Sequence, residues 1–252
     1  MKILTTVLLL SGTLLAQNIT PLYIVNKSDK VRNPSDSFYQ KSFITEFKNA
    51  KKIDSMLISI YSKKASSGQF KTLVKILKPK KDREKLILRD GNSMWMYDPN
   101  SKAIAQISPQ QRLMGQSSTA DVMSANFALD YNLKLKGVET IRGGNKKMVE
   151  CYKIKMTAKS SDVSYPTVEY WVEKKNFYPI HAKFYSGNGA LLKKSYYRKF
   201  RKILGAIRPT EVLIFDGVDT HKATKLSFSG FKEREIPDFW FSKEYLSKFR
   251  GE

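Results

Sequence analysis

Short stretches in which apolar and polar residues alternate recur between residues 42 and 228, and turn residues separate them. Met56, Ile58 and Ile60, for example, share one face of such a stretch. The turn sequences Asp-Gly-Asn at 90–92, Gly-Gly-Asn at 143–145 and Ser-Gly-Asn-Gly at 186–189 each join two stretches. This pattern predicts a meander of antiparallel hairpins rather than alternating strands and helices.

The segment of residues 108–130 breaks the alternating pattern. It contains Pro109 and Gly115, and Thr119 precedes the apolar residues Val122, Met123 and Phe127 at roughly one-turn spacing. A meander interrupted by a short helical insert and then resumed predicts a mainly β fold. We expect a curved antiparallel sheet with a small helical lid.

The first 16 residues differ from the rest of the chain. Met1-Lys2 is followed by an apolar run to Leu15 and by the small residue Ala16, which is the pattern of a cleavable secretory signal. The run is too short to span a bilayer as a helix, and a buried N-terminal helix or strand is the alternative. Residues 17–40 contain two prolines and predict an extended arm or a short helix, so the β domain covers residues 41–252. Export predicts a location in the periplasm.

Cysteine content and charge narrow the possible partners. Cys151 is the only cysteine, so a disulfide framework is excluded and a packed thiol is expected. The net charge is +22, which favours polyanions as partners. An exported protein meets anionic membrane surfaces more readily than nucleic acid, although general basicity without a specific partner also fits.

The sequence contains no recognisable catalytic or metal-binding constellation. His181 and His221 are the only histidines, and neither has a companion at metal-ligand spacing. Nucleophile-elbow, phosphate-loop and dinucleotide motifs are absent, and no pair of carboxylates stands out. Basic residues alternate with aromatic ones at 193–202, as in single-strand binders, but a half-solvated strand of a basic protein has the same pattern. We therefore predict a non-enzymatic protein without cofactor, metal or nucleic acid.

Several stretches carry bulky residues on both faces, for example residues 94–97 and 212–215. Both faces of such strands must be covered, either by another element or by a ligand. Methionine suits an adaptable surface for irregular apolar chains, although an ordinary core explains any single residue equally well. Six methionines are available for such a surface: Met94, Met96, Met114, Met123, Met148 and Met156.

A set of short motifs in a fixed order resembles the outer-membrane lipoprotein-sorting family, in its LolA-like branch. The resemblance runs from about residue 42 to residue 249. Its motifs are residues 94–99, 111–112, 114–117, 121, 130–131, 165–166, 170–173, 179, 189–194, 209–210, 221–224 and 239–246.

This resemblance implies a strongly curved antiparallel sheet that forms an incomplete β-barrel, with a cavity for acyl chains on its concave face, closed by helices. It also implies a carrier that moves lipid or lipoproteins toward the outer membrane, between an inner-membrane transporter and an outer-membrane acceptor. Arg112 would anchor the lid or meet a headgroup. The prolines of the arm and the high positive charge depart from the family pattern, and a non-catalytic sensing module is the alternative function. The expected ligand-binding residues are Met94, Trp95, Met96, Tyr97, Arg112, Met114, Met123, Phe127, Tyr131 and Trp171.

Overall fold

The computed structural model describes residues 19–91 and 93–251. The predicted signal peptide, residues 1–16, lies outside the described residues. Within these residues the α-helices are α1 (Pro21–Arg32) and α2 (Phe127–Asp130). The strands are β1 (Ser37–Lys48), β2 (Lys51–Lys64), β3 (Phe70–Lys78), β4 (Leu86–Asp90), β5 (Ser93–Asp98), β6 (Ala103–Ile107), β7 (Arg112–Met114), β8 (Ser117–Ser118), β9 (Tyr131–Arg142), β10 (Met148–Ala158), β11 (Thr167–Glu173), β12 (Pro179–Tyr185), β13 (Leu191–Ile203), β14 (Ala206–Asp216) and β15 (Lys222–Glu233).

Thirteen of the strands form one antiparallel sheet in the order β6-β5-β4-β3-β2-β1-β15-β14-β13-β12-β11-β10-β9. Among the described strands, β1 and β15 are the pair that joins distant parts of the chain, which places the two meanders side by side. The sheet does not close, since β6 and β9 form its two edges. The predicted mainly β fold with an open antiparallel sheet is confirmed.

The sheet is strongly curved. Arg89 on β4 and Phe184 on β12 line the same cavity, although seven strand spacings separate their strands in the sheet. At about 4.8 Å per spacing, those strands would lie about 34 Å apart in a flat sheet. Curvature therefore brings the two halves of the sheet toward each other and creates a concave face.

Helix α1 lies on the concave face. Thr20 caps it, because its hydroxyl oxygen accepts a hydrogen bond from the backbone of Tyr23 at 3.2 Å, and Pro21 occupies the first turn. Ile24 and Val25 are fully buried against the strands of the second half. Helix α1 thus makes up much of the arm expected at residues 17–40. Strand β1 begins at Ser37, before the expected end of that arm. Pro21 sits where a helix tolerates proline, and the prolines are therefore no obstacle to a helix.

Two clusters of apolar side chains form the concave side of the core. One lies under α1 and α2 on β9–β12, and the other lies under the insert on β1–β5, β14 and β15. The insert approaches β15 closely at Gly115, where the backbone φ is +55° and an added Cβ would collide with the Thr224 hydroxyl. The backbone amide of Gln116 donates to that hydroxyl at 2.7 Å.

A separate cover closes the convex face over β2–β6. It consists of residues 236–249, which include 3-10 helices at Asp238–Phe241 and Lys243–Lys248. We call this segment the convex cover. Ser242 precedes the second of these helices, and its hydroxyl donates to the Phe239 carbonyl rather than capping the helix. The buried side chains of the convex cover pack on β2–β4. They are Ile236, Trp240, Phe241, Leu246 and Phe249, and they contact Tyr61, Leu73, Leu86 and Leu88.

Candidate functional site

A cavity lies between the concave face of the sheet and two overlying segments. The volume of the cavity that the centres of water-sized spheres can occupy is about 130 Å³. A single buried water needs far less volume by the same measure. The overlying segments are the end of α1 and residues 119–131, and we call them together the concave cover. The apolar part of the cavity wall consists of Val122, Met123, Phe127, Val163, Phe184, Val212, Ile214, Leu226, Phe228 and Phe231.

A β-bulge shapes one side of the cavity. Between Tyr39 and Lys41 of β1, the partner strand β15 contains an extra residue, at Gly230, which has φ +62°. The bulge lets Phe231 line the cavity together with Phe228, although the two residues lie three apart along one strand. Both side chains are only half-buried, and they form an apolar wall that remains accessible to solvent.

A buried ion pair holds the concave cover to the second half of the sheet. The Lys193 ammonium on β13 contacts the Asp121 carboxylate of the insert, and their side chains are 6% and 9% exposed. Tyr165 joins them, since its hydroxyl contacts Lys193 and also donates to Asp121 at 3.2 Å. Burial lowers the pKa of Lys193, and the charge of Asp121 counteracts that effect. Burial and the same carboxylate raise the pKa of Tyr165 well above its usual value, so its hydroxyl stays protonated.

Polar contacts also hold the concave cover to the first half of the sheet. The Ser124 hydroxyl lies 2.9 Å from that of Ser62 on β2. The Arg89 guanidinium lies 3.6 Å from the Asp130 carboxylate, and burial lowers its pKa despite that partner. Asp130 in turn accepts a hydrogen bond from the Gln69 amide at 2.9 Å. The insert is therefore fastened to both halves of the curved sheet.

Helix α1 is fastened by its own polar contacts. Arg208 on β14 donates to the carbonyl oxygens of Val31, Asn33 and Pro34, which lie at the C-terminal end of the helix. A cation placed there also compensates the negative end of the helix dipole. The Asp29 carboxylate accepts from the backbone of Ala128 at 3.0 Å and so ties α1 to α2. The two parts of the concave cover thus contact each other as well as the sheet.

Three of the predicted ligand-binding residues line the cavity: Met123, Phe127 and Tyr131. The Arg32 guanidinium lies 3.7 Å from the centre of the Phe127 ring. The ring thus contacts this cation and also lines the cavity. The structure does not bring the other seven predicted residues to the cavity.

Met94, Met96 and Met114 belong to the core beneath the insert rather than to the cavity wall. Trp95 and Tyr97 point to the opposite face, where they pack against the convex cover, because successive strand residues alternate between faces. That cover, not a ligand, explains why residues 94–97 are bulky on both faces.

Trp171 and Arg112 also lie away from the cavity. Trp171 packs on the convex face with Cys151, and its indole donates to Glu139 at 2.8 Å. Arg112 is exposed on the short strand β7. The cationic side chains that fasten the concave cover in the structure are those of Lys193, Arg89 and Arg208. The alternation of residues 193–197 hinted that Lys193 shares a face with Tyr197, but nothing in the sequence indicated which face carries the cavity.

Within residues 19–91 and 93–251, His, Cys, Asp and Glu side chains form no group of three or more that is suited to a metal ion. The helices of the same part of the chain include none long and apolar enough to cross a membrane.

Comparisons with known proteins place this architecture. Residues 68–248 match a family model described as that of an uncharacterized protein. Among curated proteins, no sequence is similar enough to indicate common ancestry. A LolA superfamily protein from Nitrosomonas europaea is 32% identical, with 90% of this chain and 99% of that chain aligned and a TM-score of 0.81.

Two more distant structures share the fold. A DUF1329 family protein from Desulfovibrio piger is 20% identical over 90% of this chain and 97% of that chain, with a TM-score of 0.75. A domain from Vibrio parahaemolyticus, described as belonging to an outer membrane lipoprotein-sorting protein, is 20% identical over 90% and 98%, with a TM-score of 0.74. On the identity and coverage of the Nitrosomonas relative, this chain belongs to the LolA superfamily.

Proposed function

We propose that the protein is a periplasmic carrier that binds the acyl chains of lipid or lipoproteins between the concave face of the sheet and the concave cover. The observation that carries the proposal is a cavity with apolar walls under a cover that is fastened by polar contacts. The superfamily membership and the lipoprotein-sorting description of the Vibrio domain support it. The predicted signal sequence supports the location, and the proposed role is non-enzymatic.

The wall of the cavity suits a hydrocarbon chain. Removing each methylene group from water contributes about 0.8 kcal/mol, so such a wall shields an acyl chain from water much as a bilayer does while the chain crosses the aqueous space. The charged side chains around the cavity already have partners within the protein: Lys193 contacts Asp121, and Arg89 lies beside Asp130. An apolar guest therefore leaves these ionic groups paired.

The cover suits reversible loading. Directional polar contacts have a defined closed geometry, and in an open state water can replace them. Loading and release then require the cover to move, and we propose that a transporter on the inner membrane and an acceptor on the outer membrane trigger these steps. The partners of the carrier would meet it at the rim formed by α1 and the insert.

The first test is to purify the mature protein from periplasm without detergent and to analyse its organic extract by mass spectrometry. Stoichiometric lipid or acylated peptide is the expected result. A fluorescent fatty-acyl probe then measures affinity in Phe231→Ser and in the matched control Phe239→Ser. Phe231 lines the cavity, whereas Phe239 is 55% exposed on the convex cover.

We expect Phe231→Ser to weaken probe binding about tenfold, because burying a phenylalanine side chain contributes roughly 1.5–3 kcal/mol. Phe239→Ser should leave binding unchanged. An empty protein whose probe affinity is the same in both variants would contradict the carrier function. A stoichiometric protein partner found in that case would favour a sensing module.

A further inference from the structure

The hairpin formed by β13 and β14 projects from the sheet. The pairing of β13 with β12 ends at Tyr196, and the pairing of β14 with β15 ends at Glu211. Beyond these residues β13 and β14 continue as a two-stranded ribbon, with pairs from Arg198–Glu211 to Ile203–Ala206. An isolated ribbon of this kind is only marginally stable, so its persistence needs specific support.

Side-chain contacts support the base of the ribbon. Phe200 stacks on Tyr178 with ring centroids 4.9 Å apart. The Thr210 hydroxyl donates to the Lys199 carbonyl at 2.7 Å. Arg208 joins the ribbon to the end of α1 through the carbonyl contacts described above, and it also lines the cavity. The ribbon is therefore a built extension of the cavity rim.

The charges on the ribbon have one sign. Residues 198–210 include five basic residues and no acidic residue. Arg198 and Lys199 both pair with Glu211 at the base, at 2.7 and 2.8 Å. Arg201 and Lys202 are exposed, and within the described part of the chain no carboxylate forms an ion pair with either. Two uncompensated cations thus lie next to the tip.

The tip itself is apolar. Its sequence is Ile-Leu-Gly-Ala-Ile at residues 203–207, and Leu204 and Ile207 are 38% and 39% exposed. An apolar tip flanked by cations is the arrangement that binds an anionic bilayer, because the cations meet headgroup phosphates while the tip enters the interface. A nucleic acid would use the cations but would leave the apolar tip in water.

We propose that the β13–β14 ribbon docks the protein on an anionic membrane surface and thereby places the cavity rim next to the lipid. The inference goes beyond the carrier function, since the ribbon can bind a bilayer whether or not the cavity carries an acyl chain. Membrane docking and cargo binding therefore have separate tests.

The test measures co-sedimentation of the full chain with vesicles of phosphatidylcholine alone and with phosphatidylglycerol added. Binding only to the anionic vesicles, weakening with added salt, is expected. Each basic residue near an anionic surface contributes about fivefold to partitioning, so Arg201→Gln/Lys202→Gln should lower it about 25-fold. The matched control is Lys80→Gln/Lys81→Gln, two exposed lysines on a separate surface turn, which should change partitioning by about twofold or less through net charge alone.

The tip is tested by fluorescence. Leu204→Trp should add an emission that shifts to the blue with anionic vesicles, whereas Leu204→Asp should weaken vesicle binding while circular dichroism stays unchanged. Equal losses in the Arg201/Lys202 and Lys80/Lys81 variants, or an unshifted emission, would overturn the proposal. Tighter binding of a single-stranded oligonucleotide than of vesicles at the same salt concentration would also overturn it and assign the ribbon to nucleic acid.

Discussion

The two covers of the sheet are built from different interactions. The convex cover packs aromatic and aliphatic side chains onto β2–β6, with Trp240 and Phe249 in edge-to-face contact. The concave cover also buries apolar side chains, such as Ile24 and Met123, but it adds a buried ion pair, hydroxyl pairs and arginine–carbonyl contacts. Apolar packing stabilises without demanding one geometry, whereas buried polar contacts cost desolvation and define a single closed position. On the carrier function proposed above, the concave cover is the part that opens, and the convex cover is structural.

The largest expected effect is the loss of apolar packing on the convex side. Phe241 is 1% exposed, and Phe241→Ala should lower the free energy of unfolding by about 4 kcal/mol, because a large cavity remains. Chemical denaturation measures this loss. The control Phe239→Ala removes the exposed neighbouring ring and should cost about 1 kcal/mol or less. Equal losses in the two variants would mean that the convex cover is not packed as described.

The second effect concerns the ion pair of the concave cover. Asp121→Leu leaves the Lys193 ammonium buried without its partner, which should cost about 3 kcal/mol of unfolding free energy. The double variant Asp121→Leu/Lys193→Met removes both charges and should recover to within about 1 kcal/mol of the wild type. Hydrogen exchange should show faster opening of residues 119–131 in the single variant. A double variant as unstable as the single one would contradict the described pairing.

How much the sequence predicts depends on the range of the interaction involved. Met123 and Phe127 both line the cavity, and the sequence groups them because local spacing places them on one short segment. Lys193 and Asp121 lie 72 residues apart, and their contact exists only because the sheet curves. The pairing of β1 with β15, which sets the two halves of that sheet side by side, is likewise specified by no local pattern.

The convex cover was missed for a related reason. Residues 236–249 form two short 3-10 helices, which lack the apolar periodicity that identifies an amphipathic helix. Trp95 and Tyr97 therefore seemed available for a ligand. Alternation along a strand predicts that two faces exist, but it does not identify which face a cover of the same chain will occupy.

The third effect is a pH dependence on the convex face. His181 is buried between the rings of Trp171 and Tyr196. Burial, together with the positive charges of Lys183 and Lys194, lowers the pKa of His181 to about 4. The unfolded chain, with a histidine pKa of about 6.5, binds this proton more tightly than the folded protein does. Stability from His181 is therefore full above pH 6.5 and is lost as the pH falls toward 4.

The expected loss from this residue is about 2 kcal/mol between pH 7 and pH 4.5. Denaturation at the two pH values, compared between the wild type and His181→Gln, isolates it from the titration of carboxylates. The variant should be less stable at pH 7 but should show a shallower decline on acidification. Parallel declines would show that His181 stays accessible to protons in the folded state.

The smallest expected effect comes from a substitution on the convex cover that matches Asp121→Leu on the concave cover. The two substitutions compare the two covers directly. Asp238 on the convex cover pairs with Lys63 at 3.0 Å, but its side chain is 79% exposed. Water and salt screen such a pair, so Asp238→Leu should change the free energy of unfolding by about 0.5 kcal/mol or less. Asp121→Leu, in contrast, should cost about six times as much. Denaturation of both variants in low and high salt measures the contrast, and a large salt-sensitive loss in Asp238→Leu would show that polar contacts fasten both covers alike.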